Sequence, residues 1–388
     1  INEESRRNMT EKNNDVYLML EKLISCQSIT PNDDGCQSII SNFLKGFGFE
    51  IEIIEKSGIS NLIATYGTKS PRLAFVGHTD VVPIGQIDKW NTPPFELHEE
   101  NGKLFGRGTS DMKGSIASMM IAIKELLEIS KNINGSLMII LTSDEEGPAI
   151  HGIQSLVKEE LKNTEIDFCL VGEPSCKEYL GDTIKNGRRG SLSGNLEVKG
   201  IQGHIAYPQN AKNPIHLFSP VLQRLINQEY DKGNEYFPAT SFQVSNINSG
   251  AGASNIIPGV LTMDFNFRYS TETDADSLKK TVISILDSEG VDYSVKWSHS
   301  GEPYLSRNSK LLDVCSKAVK NVTKRDATIS TDGGTSDGRF MAKICNDVIE
   351  FGLVNKTIHK INESTTLNNI TMLKDIYCQV LQNILTSK

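Results

Sequence analysis

Thr142-Ser143-Asp144-Glu145-Glu146-Gly147 sets carboxylates side by side directly after an apolar run, Ser136-Leu137-Met138-Ile139-Ile140-Leu141. A second apolar run, Arg72-Leu73-Ala74-Phe75-Val76-Gly77, ends in His78-Thr79-Asp80. Each run reads as a buried strand, so carboxylates and an imidazole emerge where strands stop. Open α/β sheets place their sites at the carboxyl ends of strands. Carboxylates crowded there repel one another unless a cation offsets the charge. The chemistry on offer is that of a metalloenzyme.

Divalent cations of borderline or hard character take imidazole and carboxylate donors. Five positions supply them at a strand end or in a tight turn: His78, Asp111, Glu146, Glu173 and His359. Asp111 lies in the glycine-punctuated Gly106-Arg107-Gly108-Thr109-Ser110-Asp111-Met112-Lys113-Gly114, and Glu173 in Val171-Gly172-Glu173-Pro174. His359 lies in Asn355-Lys356-Thr357-Ile358-His359-Lys360-Ile361-Asn362-Glu363. Two histidines and three carboxylates suit a two-metal site with one bridging carboxylate, able to activate a water and polarise a carbonyl. Asp80, on the same strand face as His78, is placed to fix the ring's tautomer. Alone, a histidine or an acidic pair at a helix start is most often structural. Five such segments in one chain argue for a shared site. His98, His151, His216 and His299 lack a comparable setting and read as structural.

The elements that must position these groups follow from hydrophobic period. Helices are expected around 16–25, 36–46, 114–128 and 152–162, and strands over 49–54, 61–66, 73–76, 137–141 and 167–171. This alternation implies a mostly parallel, doubly wound sheet. Residues 84–106 read as loop. The middle of the chain changes character: strands at 191–198, 240–247, 260–268 and 293–297, with helices at 213–230 and 273–288. That β-α-β-β-α-β order suggests two helices on a four-stranded antiparallel sheet. From Ser309 the first pattern resumes. The expected fold class is α/β: a catalytic domain with a mixed, mostly parallel sheet (1–190 and 303–388), interrupted by an inserted α+β domain (191–302).

The chain of 388 residues is 38% hydrophobic and 23% charged, as expected of a globular protein with a real core. A formal net charge of -8 without a dense basic block argues against nucleic-acid binding. No apolar stretch approaches the roughly 20 residues of a membrane span. Residues 1–14 lack the apolar core of a signal peptide, and Met9-Thr10-Glu11-Lys12 reads as a start with Ile1–Asn8 added before it. The seven scattered cysteines, without a Cys-x-x-Cys pair, fit reduced thiols in a cytoplasm. Cys176 stands out because it lies near Glu173.

Several segments resemble a family of zinc-dependent aminoacylases and peptidases with a dinuclear centre. Gly77-His78-Thr79-Asp80-Val81-Val82-Pro83, Gly106–Gly114 and Asp144-Glu145-Glu146-Gly147 are similar to its metal motifs. Asn186-Gly187-Arg188-Arg189-Gly190-Ser191-Leu192, Gly203-His204-Ile205-Ala206-Tyr207-Pro208, Gly252–Gly259 and Gly333-Gly334-Thr335-Ser336-Asp337-Gly338-Arg339-Phe340 resemble its desuccinylase branch. The resemblance spans residue 10 to the C-terminus and departs from the branch at Asp332, where a small neutral residue is expected.

The resemblance implies two Zn²⁺ per subunit, with Co²⁺ a possible substitute. Asp111 would bridge, His78 and Glu173 would complete one site, and Glu146 and His359 the other. Glu145 would be the general base, Asp80 an orienting catalytic residue, and the Asp111–Met112 peptide cis. His204, in the inserted domain, would donate to the oxyanion, across a homodimer if it must come from a second subunit. Arg188, Tyr207, Asn255, Arg268, Gly334, Thr335 and Ser336 would bind a small substrate bearing several carboxylates. The expected reaction is hydrolysis of an N-succinyl amide of a diamino diacid in bacterial lysine and cell-wall biosynthesis. A related deacylase or dipeptidase, such as an acetylornithine deacetylase, is the alternative. A non-catalytic metal-binding protein would usually have lost the base or a ligand, and all are present here.

Overall fold

The computed structural model describes residues 15–130 and 132–386, so the reading of Met9 as a start lies outside the described residues. The chain divides into two compact units. One comprises the chain up to Gly187 with Leu305–Ser330 and Ser336–Lys388; the other comprises Arg188–Tyr304 and Thr331–Thr335.

The first unit is built on an eight-stranded sheet. Its spatial order is Glu50–Lys56, Ile59–Tyr66, Ser136–Thr142, Arg72–His78, Phe168–Val171, Val348–Glu350, Thr183–Lys185 and Thr328–Ser330. Strand Arg72–His78 runs parallel to both neighbours, pairing His78 with Thr142 and Val76 with Val171. Val348–Glu350 continues the parallel set beside Phe168–Val171. The expected run of parallel strands therefore forms the middle of the sheet, with antiparallel pairs at Ile59–Tyr66 and Thr183–Lys185 making it mixed. Every residue of Ser136–Thr142 is buried, which explains an apolar run without alternation.

Helix Lys113–Ile129 is buried almost all round and packs against helix Leu367–Leu385. Burial on nearly every side accounts for apolar residues on more than one of its faces. Residues 15–24 form the expected first helix. Where a loop was expected, His98–Glu100 and Lys103–Phe105 form a short hairpin that Ser364–Thr366 joins as a third strand. Strands of three residues are too short to leave a periodic signal.

The second unit holds a four-stranded antiparallel sheet ordered Ser241–Ser249, Val260–Tyr269, Gly190–Lys199 and Asp292–Gly301. Helices Pro214–Asn227 and Ala275–Ser288 contribute to its core. Val260–Tyr269 alternates buried and half-buried residues, as a strand with one covered face must. Helix Pro214–Asn227 stops three residues short of the expected Tyr230; its start is capped by Asn213, whose side chain accepts the Ile215 N–H.

Among the described residues no helix is long and apolar enough to cross a membrane. All seven cysteines are buried and free. Cys176 directs its sulfur to the Gly352 carbonyl at 3.3 Å, and burial pushes its thiol up to about 11, so it packs as a structural thiol.

Candidate active site

Three adjacent strand ends and two loops of the first unit deliver the acidic and imidazole groups to one place. His78 closes Arg72–His78, Glu145 and Glu146 follow Ser136–Thr142, and Glu173 follows Phe168–Val171. Asp111 enters from the turn before helix Lys113–Ile129, and its peptide bond to Met112 is cis. Gly108 makes that turn possible: its φ is +89°, and a Cβ would stand 2.8 Å from Val81 Cγ1. His359 sits in the loop beyond Val348–Glu350 with φ of 59°, a left-handed conformation uncommon outside glycine.

Asp111 lies between the two imidazoles. Its Oδ1 is 3.2 Å from His78 Nε2, and its Oδ2 is 3.2 Å from His359 Nε2. Glu173 Oε1 approaches His78 Nε2 at 3.6 Å, and Glu146 Oε1 approaches His359 Nε2 at 3.0 Å. The structure thus gathers all five expected metal-ligating side chains. Ligand atoms of His78, Asp111 and Glu146 fall within 4.8 Å of one another, and so do those of His78, Glu145 and Glu173. The second set includes Glu145, so its carboxylate also reaches the place where the ligand atoms converge.

The donor set fits a divalent cation on its own chemistry. His78 Nδ1 lies 2.8 Å from the backbone carbonyl of Asp80, which can only accept, so Nδ1 carries the hydrogen. Nε2 then faces carboxylate oxygens, an arrangement that holds only with a proton or a metal ion between the facing lone pairs. Glu173 Oε1 is buried without a hydrogen-bond partner among the described residues. Uncompensated buried carboxylate oxygens of this kind are costly unless a cation is held.

Electrostatics carry the same message. Burial opposes charge on His78, but the Asp111, Glu173 and Glu145 carboxylates outweigh it and raise its pKa well above the usual range. Hydrogen bonds that its ring donates to the Asp111 and Glu146 carboxylates push His359 up to about 10. Asp111 is held below its ordinary value because both imidazoles outweigh its burial. Burial raises the carboxyls of Glu145 and Glu173, and the neighbouring carboxylates add to it.

Asp80 is fully buried, and its closest link to His78 is its main chain rather than its carboxylate, which lies 3.6 Å from Nδ1. Its carboxylate instead accepts the backbone N–H groups of Glu145 at 3.3 Å and Glu146 at 3.1 Å. Three further residues escaped the sequence reading. Asp144 accepts the N–H groups of Ala149, Ile150 and His151 and shapes the turn after the acidic pair. Burial pushes Asp337 up to about 7, and neither of its oxygens has a hydrogen-bond partner among the described residues. Glu363, four residues after His359, binds the turn that holds Asp111. Only its proximity to His359 could have signalled it.

In the second unit, His204 pairs with Ile256 in a two-residue strand, and its Nδ1 accepts the Ala206 N–H at 3.1 Å. Its ring lies 5.6 Å from that of the exposed Tyr207, and the Asn255 carbonyl accepts the Ile205 N–H at 3.0 Å. These three expected residues are therefore neighbours. Arg188 is buried and donates from Nη1 to the Asp332 carbonyl at 3.0 Å, which brings it to the loop holding Gly334 and Thr335. The departure at Asp332 thus meets Arg188 through backbone, while its side chain is exposed. Arg268 is half-buried in Val260–Tyr269, opposite Ser191. Ser336 belongs to the first unit, where its buried hydroxyl donates to Glu350.

A sheet with acidic and imidazole groups converging at its carboxyl ends is the architecture of a metal-dependent hydrolase. The model of peptidase family M20/M25/M40 matches residues 74–383, and the chain belongs to that family. The chain is 50% identical over 368 residues to a succinyl-diaminopimelate desuccinylase of Janthinobacterium, covering 95% of this chain and 98% of that protein. Aminopeptidase PepT from Bacillus cereus shares the fold with a TM-score of 0.79 at 16% identity, over 96% of this chain and 98% of that one. The YXEP protein of Bacillus subtilis, described as a dinuclear metal-binding peptidase, matches with a TM-score of 0.73 at 14% identity, over 98% of this chain and all of that one.

Proposed function

We propose that this chain hydrolyses N-succinyl-LL-2,6-diaminopimelate to succinate and LL-2,6-diaminopimelate in bacterial lysine and cell-wall biosynthesis. The observation that carries the reading is the placement of Asp111 between His78 and His359, with Glu145 beside them, in a chain half identical to a named desuccinylase over nearly its whole length. His78 with Glu173, and His359 with Glu146, would hold two divalent cations across Asp111. Zinc is the proposed native metal and cobalt a substitute, since imidazole and carboxylate suit both. When bound, such a pair supplies Lewis acidity toward the scissile carbonyl and toward the attacking water.

Glu145 takes a proton from the attacking water as the C–O bond forms. It returns that proton to the amide nitrogen as the C–N bond breaks, leaving succinate and the free amine. Burial and the neighbouring carboxylates raise its carboxyl pKa, which favours holding the proton between the two halves of this exchange. Asp80 orients Glu145 and Glu146 through their backbone N–H groups. His204 donates to the oxyanion developing on the carbonyl oxygen. Its Nδ1 is engaged as an acceptor by Ala206, so in the neutral ring the hydrogen sits on Nε2, where a donor is needed. Arg188 and Arg268 match the substrate carboxylates with planar forks. Tyr207, Asn255, Gly334, Thr335 and Ser336 add hydrogen bonds.

The proposed assembly is a cytoplasmic homodimer, with the middle unit as its pairing domain. The deciding experiment strips metal, restores zinc, and assays the succinylated diaminopimelate against acetylornithine. Zinc-dependent release of succinate with little deacetylation is expected. Preference for the acetylated compound would replace this reading by that of a related deacylase.

A further inference from the structure

Glu363 belongs to no ligand set, yet its side chain, only 1% exposed, receives four N–H donors. Arg107 Nη1 and the Gly108 N–H reach Oε2 at 2.9 Å each. The N–H groups of Ser110 and Asp111 reach Oε1 at 2.9 and 3.0 Å. The Glu363 carbonyl also accepts the Gly106 N–H at 3.1 Å. Arg107 extends the clamp by donating to the carbonyls of Lys360 at 3.1 Å and Pro83 at 3.2 Å. The turn that carries Asp111 and the loop that carries His359 are thus tied together directly behind the point where the two side chains meet.

That loop needs support. His359 and Asn362 both have φ of 59°, a region in which residues other than glycine persist only when their surroundings over-determine it. A carboxylate accepting several N–H groups fixes a turn more firmly than a neutral acceptor, because charge-assisted hydrogen bonds are the stronger kind. Replacing Glu363 by an amide would set an NH₂ group against backbone N–H donors and leave Arg107 as a buried cation without its counter-charge.

We propose that Glu363 is a positioning residue for the metal centre, holding Asp111 and His359 in register through the Asp111 N–H and Arg107. This rests on reading the centre as a metal site, and its test reads metal binding rather than turnover. Metal-free wild type, Glu363→Gln and Glu363→Asp are titrated with Zn²⁺ by calorimetry and with Co²⁺ by visible absorption, while circular dichroism follows the fold. The expected result is a folded Gln variant in which at least one binding event weakens by about 10–100-fold, with partial recovery in the Asp variant. A role confined to stability would lower the unfolding midpoint and leave metal affinity of the folded protein alone. Weakening of less than about tenfold in the folded Gln variant overturns the proposal. So does failure of both variants to fold, which would assign Glu363 to the fold itself. Wild type that binds both metals but leaves the succinylated substrate intact would sink the proposed substrate without touching these titrations.

Discussion

Asp80 accepts the backbone N–H of Glu146 at 3.1 Å while its own carbonyl takes Nδ1 of His78 at 2.8 Å. One buried residue therefore fixes both the ring orientation at the end of one strand and the acidic turn at the end of its neighbour. The parallel pairing of His78 with Thr142 brings those ends level, so the link needs no long connection. A displacement of either strand end would move imidazole and base together.

Glu145 is the group whose removal should separate chemistry from binding. Glu145→Gln keeps the side-chain shape and the backbone N–H bonded to Asp80, but cannot take a proton. The value of kcat should fall by about 10²–10⁴-fold while two metal ions still bind. Steady-state kinetics paired with metal analysis checks this. Near-normal turnover would remove Glu145 from the reaction.

Metal affinity should rise with pH. In the metal-free chain, His359 titrates at about 10 instead of the ordinary 6.5, and His78, Glu145 and Glu173 also hold their protons more tightly than usual. Metal binding must displace such protons, so higher pH favours it. The sign for stability is opposite in the metal-free chain. The contribution of protonated His359 is fully present below about 6.5 and is lost as pH rises towards about 10. Cobalt titrations between these limits, with proton release measured in two buffers, test the first trend, and denaturant unfolding of the metal-free chain over the same pH range tests the second. An affinity that does not vary with pH would contradict the first.

Much of this site was legible because buried parallel strands write themselves as continuous apolar runs. Ser136–Thr142 and Arg72–His78 announce both their own burial and the groups that follow them. Helix Lys113–Ile129 showed its period and so placed Asp111 just before it. Glu363 was not legible, since a buried glutamate clamped by four donors has the same letter as one in solvent. Asp337 and Asp144 were hidden in the same way. The strand ends at His78, so the alternation of side chains could not reveal that the Asp80 carboxylate serves main-chain donors. The hairpin at 98–105 depends on pairing with Ser364–Thr366, more than 250 residues further on, which no local window contains.

Gly352 should prove irreplaceable for a steric reason. A Cβ there would stand 2.5 Å from the backbone carbonyl oxygens of Gly172 and Glu173. Backbone cannot swing aside as a flexible side chain can, so Gly352→Ala must push the Glu173 segment away. A loss of about 1–3 kcal/mol in stability is expected, together with weakened metal binding. Denaturant unfolding and metal titration measure the two effects. A variant with wild-type values for both would show that the strand ends are looser than their packing implies.

Arg268 should govern substrate binding. Losing a charged partner of a substrate carboxylate costs about 1.5–3 kcal/mol, so Arg268→Ala should raise KM by about tenfold to a hundredfold. An unchanged KM in the folded variant would take Arg268 out of the pocket.

The last prediction concerns whether the oxyanion donor comes from the same subunit. In a symmetric dimer whose sites borrow the partner's His204, His204→Ala and Glu145→Gln each abolish both sites of their own homodimer. In a hybrid, the site on the His204→Ala subunit keeps its own Glu145 and receives an intact imidazole from the partner. The other site lacks both groups. Random exchange of equal amounts makes half the dimers hybrid with one working site in each, so activity should return to about a quarter of wild type. Mixing the two variants, allowing exchange, and measuring turnover against hybrid content gives the result. No recovery despite demonstrated hybrids would mean that each subunit supplies its own donor or that His204 does not act on the oxyanion.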